Sequence, residues 1–111
     1  MTVEVTDALA AQVREALRLV IDPELGDNIV DLGLVYYVSV GEGGVAHIVM
    51  TTTTRGCPAT AYLKDGARDS AWSVPGIEFV DVGLTYEPPW TPEMMTPDAR
   101  SKLGISDKGR W

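Results

Sequence analysis

Val45-Ala46-His47-Ile48-Val49-Met50-Thr51-Thr52-Thr53-Thr54-Arg55-Gly56-Cys57-Pro58 is the stretch on which the fold turns. Its first six residues are β-branched or apolar around one histidine, the composition of a strand. Arg55-Gly56 is a turn signal. Pro58 suits the first position of a helix, where its fixed φ is already helical and its missing N–H is not needed. A strand therefore gives way to a helix, and Cys57, the one cysteine of the chain, is expected at the helix N-cap. There it would sit beside unpaired backbone N–H groups, at the positive end of the helix dipole. That setting lowers a thiol pKa, and the thiolate is the form that attacks electrophiles and binds metal. Arg55 would add to the effect. A small, buried, inert thiol is the other reading of a lone cysteine.

Downstream, the helix is expected to run to about residue 73, with Ala59, Leu63, Ala67 and Ala71 on one side and Tyr62 adjacent. Gly66 weakens it by about 1 kcal/mol relative to alanine, so a close contact with the sheet or with another chain is expected there. Pro75-Gly76 makes a turn, and residues 77–84 form a third strand. Glu87-Pro88-Pro89-Trp90 leaves the sheet in extended form. Thr91-Pro92-Glu93 and Thr96-Pro97-Asp98 both read as N-cap, proline, acid. Only the second has length, from 97 to 103, stopping at Gly104. Trp90, Met94 and Met95 either pack over the sheet or form a docking surface with Pro88 and Pro89. Residues 105–111 are expected to be a mobile tail.

Upstream, Gly41-Glu42-Gly43-Gly44 is a hairpin loop joining strands at 34–40 and 45–52. His47 shares a face with Val45 and Val49, as a structural or half-exposed side chain. Thr6 is expected to cap a first helix whose stripe is Leu9, Val13, Leu17 and Val20, with Arg14, Glu15 and Arg18 on other faces. Pro23 ends it, since the residue before a proline is pushed out of the α region. Asp22-Pro23-Glu24-Leu25-Gly26-Asp27-Asn28 then reads as a polar loop, either a solvated turn with local Asx hydrogen bonds or a source of oxygen ligands. Asp31 lies in a mostly apolar run and needs partners, because an isolated buried carboxylate is costly. Loop N–H groups or the thiol are the candidates. Gly33 beside it implies an unusual backbone angle or a close approach.

The 111 residues make one domain, 1–104, of ordinary globular composition, 45% hydrophobic and 23% charged. Helix, strand, strand, helix, strand and a short C-terminal helix give an α+β two-layer sandwich, with the helices on one face of a small sheet. A net charge of −7, with no basic stripe, argues against nucleic acid. No apolar run reaches the roughly 20 residues that span a bilayer. One cysteine and no export signal point to the cytoplasm.

Several chemistries are discounted. No glycine-rich phosphate loop precedes a helix, and neither His-Glu-x-x-His nor Cys-x-x-Cys occurs. A Cys57–His47–Asp31 triad fails because His47 lies ten residues upstream of Cys57, about 33 Å away along extended chain. What remains is a thiolate near Thr51–Thr54 and the Asp22/Glu24 loop. Soft thiolates suit iron–sulfur clusters, zinc and copper(I). A cluster usually takes about four ligands, so one thiol per chain implies sharing between two chains and a weak, transient site.

Asp22-Pro23-Glu24, Asn28-Ile29-Val30-Asp31-Leu32-Gly33-Leu34-Val35-Tyr36, Met50-Thr51-Thr52-Thr53 with Gly56-Cys57-Pro58, Pro75-Gly76-Ile77, Pro88-Pro89-Trp90, Met94-Met95 and Ala99-Arg100 follow in that order. In this combination the chain resembles the PaaD/SufT-like metal–sulfur cluster assembly family, over residues 8 to 104. The resemblance implies a maturation factor for iron–sulfur proteins, a carrier or adaptor rather than a turnover enzyme. It makes Cys57 the candidate cluster ligand, with Asp22, Glu24, Asp31 and Thr53 as candidate neighbours of the thiol, beside the Arg55 already placed there by sequence. It implies a transient iron–sulfur cluster or iron, bridged between two chains of a homodimer, and partners among assembly proteins and apo-protein clients. The branch tied to phenylacetate oxygenation has further C-terminal cysteines, which this chain lacks, so the short stand-alone type fits better. Thr52 stands where the family often has leucine, and Ala59-Thr60-Ala61-Tyr62 is a less usual helix start. Three rival readings stand beside this one: an adaptor that binds no cluster and docks through Pro88-Pro89-Trp90, a thiol redox protein, and an RNA-binding domain. The redox reading lacks a resolving cysteine. The RNA reading lacks both positive charge and a Gly-x-x-Gly loop.

Overall fold

Alternation of side chains along Val45–Met50 sends Ala46, Ile48 and Met50 to one side and Val45, His47 and Val49 to the other. The first three are buried. This strand, β2, is the centre of a three-stranded sheet in a computed structural model that describes residues 3–53 and 59–102. β1 (Val35–Gly41) runs antiparallel to it through the hairpin, and β3 (Phe79–Leu84) runs parallel on its other side. A parallel neighbour needs a crossover, which α2 (Thr60–Trp72) provides. α1 (Val3–Ala16) and α2 lie on the same face. Val13 from the first, Leu17 just after it, and Leu63, Ala67 and Ala71 from the second pack with Val40, Ala46, Ile48 and Val80 into one buried cluster. The opposite face carries Tyr37 and Phe79, each more than half exposed, and a His47–Asp81 pair at 3.6 Å. A 3₁₀ turn (Pro92–Met94) and a short α3 (Pro97–Lys102) complete the described chain. The two-layer α+β architecture is as expected.

The first helix differs from expectation at both ends. It begins at Val3, so Thr6 lies inside it rather than at its cap. It tightens into a 3₁₀ turn at Leu17–Leu19 and stops at Val20, three residues before Pro23. The backbone explains the early stop: Val20 is extended, its carbonyl accepts the Ile29 amide at 3.0 Å, and Ile21 bridges to Asn28. Pairing with the next segment ends the helix before proline can.

β1 is shifted by one residue from the expected 34–40, and β2 and β3 are shorter than the expected 45–52 and 77–84. β2 ends at Met50, although the Thr51 amide still donates to the Leu34 carbonyl at 2.8 Å. Ile77 is buried but lies outside β3. α2 begins at Thr60 with Ala59 at its N-cap, so the cap is two residues later than the Cys57 expectation. Ala59 offers no side-chain oxygen, and the Thr60 hydroxyl is buried with no hydrogen-bond partner among the described residues. Thr54, Arg55, Gly56, Cys57 and Pro58 lie outside the described residues, as does the tail from 103 to 111. Thr96 does cap α3, its hydroxyl accepting the Ala99 amide at 3.2 Å, and the earlier proline start stays a single 3₁₀ turn. Among the described residues no helix is long and apolar enough to cross a membrane.

Candidate functional site

Because β2 and β3 are parallel, the segments that follow them leave the sheet at the same end. β1 begins there too, since Val35 pairs with Met50. Three irregular stretches therefore gather at one end: the loop before β1, the threonine run after β2, and a strap, residues 85–96, after β3.

The strap is stitched to its neighbours by neutral groups. The Thr85 amide donates to the Met50 carbonyl at 2.9 Å. The Tyr86 and Thr52 hydroxyls meet at 3.1 Å. A bulge between Val35 and Tyr37 leaves Tyr36 as the extra residue of β1. Such bulges re-aim a side chain, and the Tyr36 hydroxyl donates to the Pro88 carbonyl at 2.8 Å. Burial, partly offset by a hydrogen bond with Thr51, holds this phenol above its ordinary pKa of 10.0. Trp90 donates its indole N–H to the Leu32 carbonyl at 2.8 Å and packs against the core. Of the predicted docking residues, Pro88 and Pro89 are exposed, and Trp90 is half-buried and anchored.

The loop before β1 is held by charge. Asp22 is buried, and its Oδ1 accepts the amides of Glu24 at 2.7 Å and Leu25 at 3.1 Å. This is the Asx turn expected of the sequence, but in a buried rather than solvated setting. Glu24 is exposed. Asn28 bridges two acids, its Nδ2 donating to Asp27 Oδ1 at 3.2 Å and to Asp31 Oδ2 at 3.1 Å. Asp31 receives both guanidinium nitrogens of Arg18, at 2.6 and 3.2 Å. Burial pushes the Asp31 carboxyl up, but the Asn28 amide and the Arg18 guanidinium together outweigh it and hold the group below its ordinary 3.8. The Arg18 guanidinium is raised in turn, chiefly by its hydrogen bond to Asp31. Sequence reasoning anticipated a partnered Asp31 but named loop amides or the thiol. A loop N–H does reach it, from the Asn28 side chain, but the charged partner is Arg18, thirteen residues upstream, and no local pattern signals a contact at that separation.

Gly33 joins the two systems. Its φ is +77°, and a Cβ there would collide with the Met94 backbone carbonyl. Both expectations for this glycine, an unusual angle and a close approach, hold. The Thr96 amide adds a bond to the Asp31 carbonyl oxygen at 2.8 Å. Thr53, half-buried, is the last described residue before the cysteine segment.

Among the described residues, no group of three or more His, Cys, Asp or Glu could hold a metal ion. The Asp22 and Asp31 carboxylates are engaged by their own loop and by Arg18. Among the described residues, the donors brought together at this end are therefore hydroxyls, backbone groups and compensated acids.

A family model described as "Iron-sulfur cluster assembly protein" matches residues 10–86. The chain is 40% identical over 99 residues to the Fe-S protein maturation auxiliary factor YitW of Bacillus subtilis, covering 89% of this chain and 97% of that protein. It is 43% identical over 88 residues to the Fe-S protein maturation auxiliary factor SufT of Staphylococcus aureus, covering 79% of this chain and all of the other. Among solved structures, a domain of unknown function, DUF59, from Bacillus anthracis superposes with a TM-score of 0.90 at 36% identity, over 95% of this chain and 100% of that one. The matched region takes in the charged loop, all three strands and α2. This chain belongs to the iron–sulfur cluster assembly protein family and is of the PaaD/SufT-like kind.

Proposed function

We propose that this chain acts in iron–sulfur protein maturation as a carrier that receives a cluster or iron and passes it to an apo-protein, with the Cys57 thiolate as its ligand. The supporting observation is the convergence at one end of the sheet, where the loops before β1 and after β2 and β3 are bonded to one another. Chain connectivity keeps Cys57 within two residues of Ala59, at the start of α2. One thiolate leaves most of the iron coordination to other donors, so the cargo is bridged between two chains or completed by small thiols, and held transiently. Transfer is then a ligand exchange without change of oxidation state. A client thiolate bonds to iron, the Cys57–iron bond breaks, and Cys57 leaves as a thiolate. Thr53, Arg55 and Glu24 surround the thiol in this reading, while Asp22 and Asp31 shape the loop beside it. Assembly proteins and apo-clients are the partners.

Anaerobic reconstitution with iron and sulfide tests this on wild type and Cys57→Ser, read by visible absorption and by size. A chromophore and a larger species with wild type only are expected. Two colourless, folded proteins would overturn cluster binding. The engagement of Asp22 and Asp31 within the fold, and the exposure of Pro88 and Pro89, favour one second reading, an adaptor that docks without holding a cluster. In that case Cys57→Ser is silent in a maturation assay and Pro89→Ala is damaging.

A further inference from the structure

Where α2 lies against the 3₁₀ turn that follows α1, two apolar side chains stand in solvent, Leu19 at 75% and Tyr62 at 60% exposure. Between them is an open groove of about 260 Å³. Its floor is Gly66, where a Cβ would come within 3.2 Å of Val20 Cγ1. Tyr62, Gly66 and Ser70 follow at helical steps and line one face of α2. Asp65 and Asp69, also in the lining, are exposed. Asp65 holds Arg68 in an exposed pair at 3.1 Å, and Asp69 has no cation within ion-pair distance among the described residues.

We propose that this groove docks a segment of a partner protein that presents an aliphatic side chain next to a lysine or arginine. The volume lies below the roughly 300–1,000 Å³ of a small-molecule pocket, so it takes a side chain or two. Leu19, Val20 and the Tyr62 ring give that side chain an apolar slot. The two carboxylates then meet the neighbouring cation, and the chain's charge of −7 steers cationic partners toward it. The groove also adjoins the functional end. Ile21 follows Leu19 into the charged loop, and Tyr62 lies two residues inside the α2 start at Thr60. A segment seated here runs beside both. Only the identity of the partner, a client or assembly protein, rests on the function proposed above. Binding itself needs neither Cys57 nor a cluster, so the two ideas fail separately.

The test titrates the isotope-labelled full chain with a short peptide of alternating leucine and lysine, and with its counterpart carrying glutamate for lysine. Saturable amide shifts centred on Leu19, Tyr62 and Gly66 are expected with the lysine peptide alone. Asp65→Lys with Asp69→Lys, at exposed positions that leave the core untouched, should weaken that binding on the order of tenfold or more and admit the glutamate peptide. Leu19→Ser should weaken the lysine peptide's binding to the otherwise wild-type chain and the glutamate peptide's binding to the charge-reversed one. Shifts scattered over all surface acids, or a preference unchanged by the charge reversal, would overturn the proposal. So would concentration-dependent shifts at these amides without any peptide, which would assign the groove to a second copy of the chain.

Discussion

The loop before β1 and the strap after β3 are both irregular, both pack at the same end of the sheet, and are fixed by opposite means. Residues 22–33 are held by compensated charge: Arg18 on Asp31, Asn28 between two acids, and Lys102 at 3.7 Å from Asp27. Residues 85–96 are held by neutral donors on carbonyls, through Tyr36 and Trp90. A charged clasp responds to pH because its acid can be protonated. A phenol held above 10.0 and an indole do not titrate across the acid and neutral range. One end of the molecule thus combines a titratable wall and an inert one.

The largest effect is expected where the two walls touch. Gly33→Ala places a Cβ at φ +77° against the Met94 carbonyl, which combines backbone strain with overpacking. A loss of about 2–4 kcal/mol is expected, measurable by urea unfolding. If the strap simply moves aside, the loss will be small and the two walls are independent.

Asp31→Asn separates charge from shape. The folded Asp31 carboxyl lies below its ordinary value, so its contribution is complete above about pH 3.8 and is lost as pH falls through the lower folded value. The asparagine variant should be less stable than wild type at neutral pH, and the gap should close on acidification. A gap that stays constant down to acid pH would show that the carboxylate's charge is not what holds the loop.

How much of this was legible in the sequence follows from the range of each interaction. The Leu9–Val13–Leu17–Val20 stripe, the glycine hairpin and the Leu63–Ala67–Ala71 face are local periodicities, and they appear where expected. Asp22 taking up its own loop's amides was legible for the same reason. Arg18 was not. On a helix surface it reads as one more solvated cation, and only the folding of the 22–33 segment back across the 3₁₀ turn brings Asp31 to it. The α2 start was misread because proline marks where a helix is permitted, not where its first hydrogen bond closes. The candidate site was legible as a set of motifs, but its assembly depends on the parallel pairing of β3 with β2, which no composition encodes.

On the neutral side, Trp90→Phe keeps the ring and removes one donor, leaving the half-buried Leu32 link unmade. About 1 kcal/mol is expected, with no change between pH 4 and 8. A pH-dependent loss would mean that the strap is coupled to the charged loop more tightly than its bonds imply.

The smallest effect tests whether every charge in the clasp matters alike. Lys102 reaches Asp27 Oδ2 at 3.7 Å from a side chain that is 64% exposed. Exposed pairs of this kind contribute at most about 1 kcal/mol, and salt screens them. Among the described residues, however, Asp27 Oδ2 is buried with no hydrogen-bond partner, and the lysine is the one cation at that oxygen. Lys102→Ala should therefore cost little and lose even that in high salt, if water reaches Oδ2 once the lysine is gone. A larger, salt-insensitive loss would mean that the oxygen stays dry. Lys102 would then belong with Arg18 as a fixed part of the charged wall, and α3 would be one of the elements that hold the loop in place.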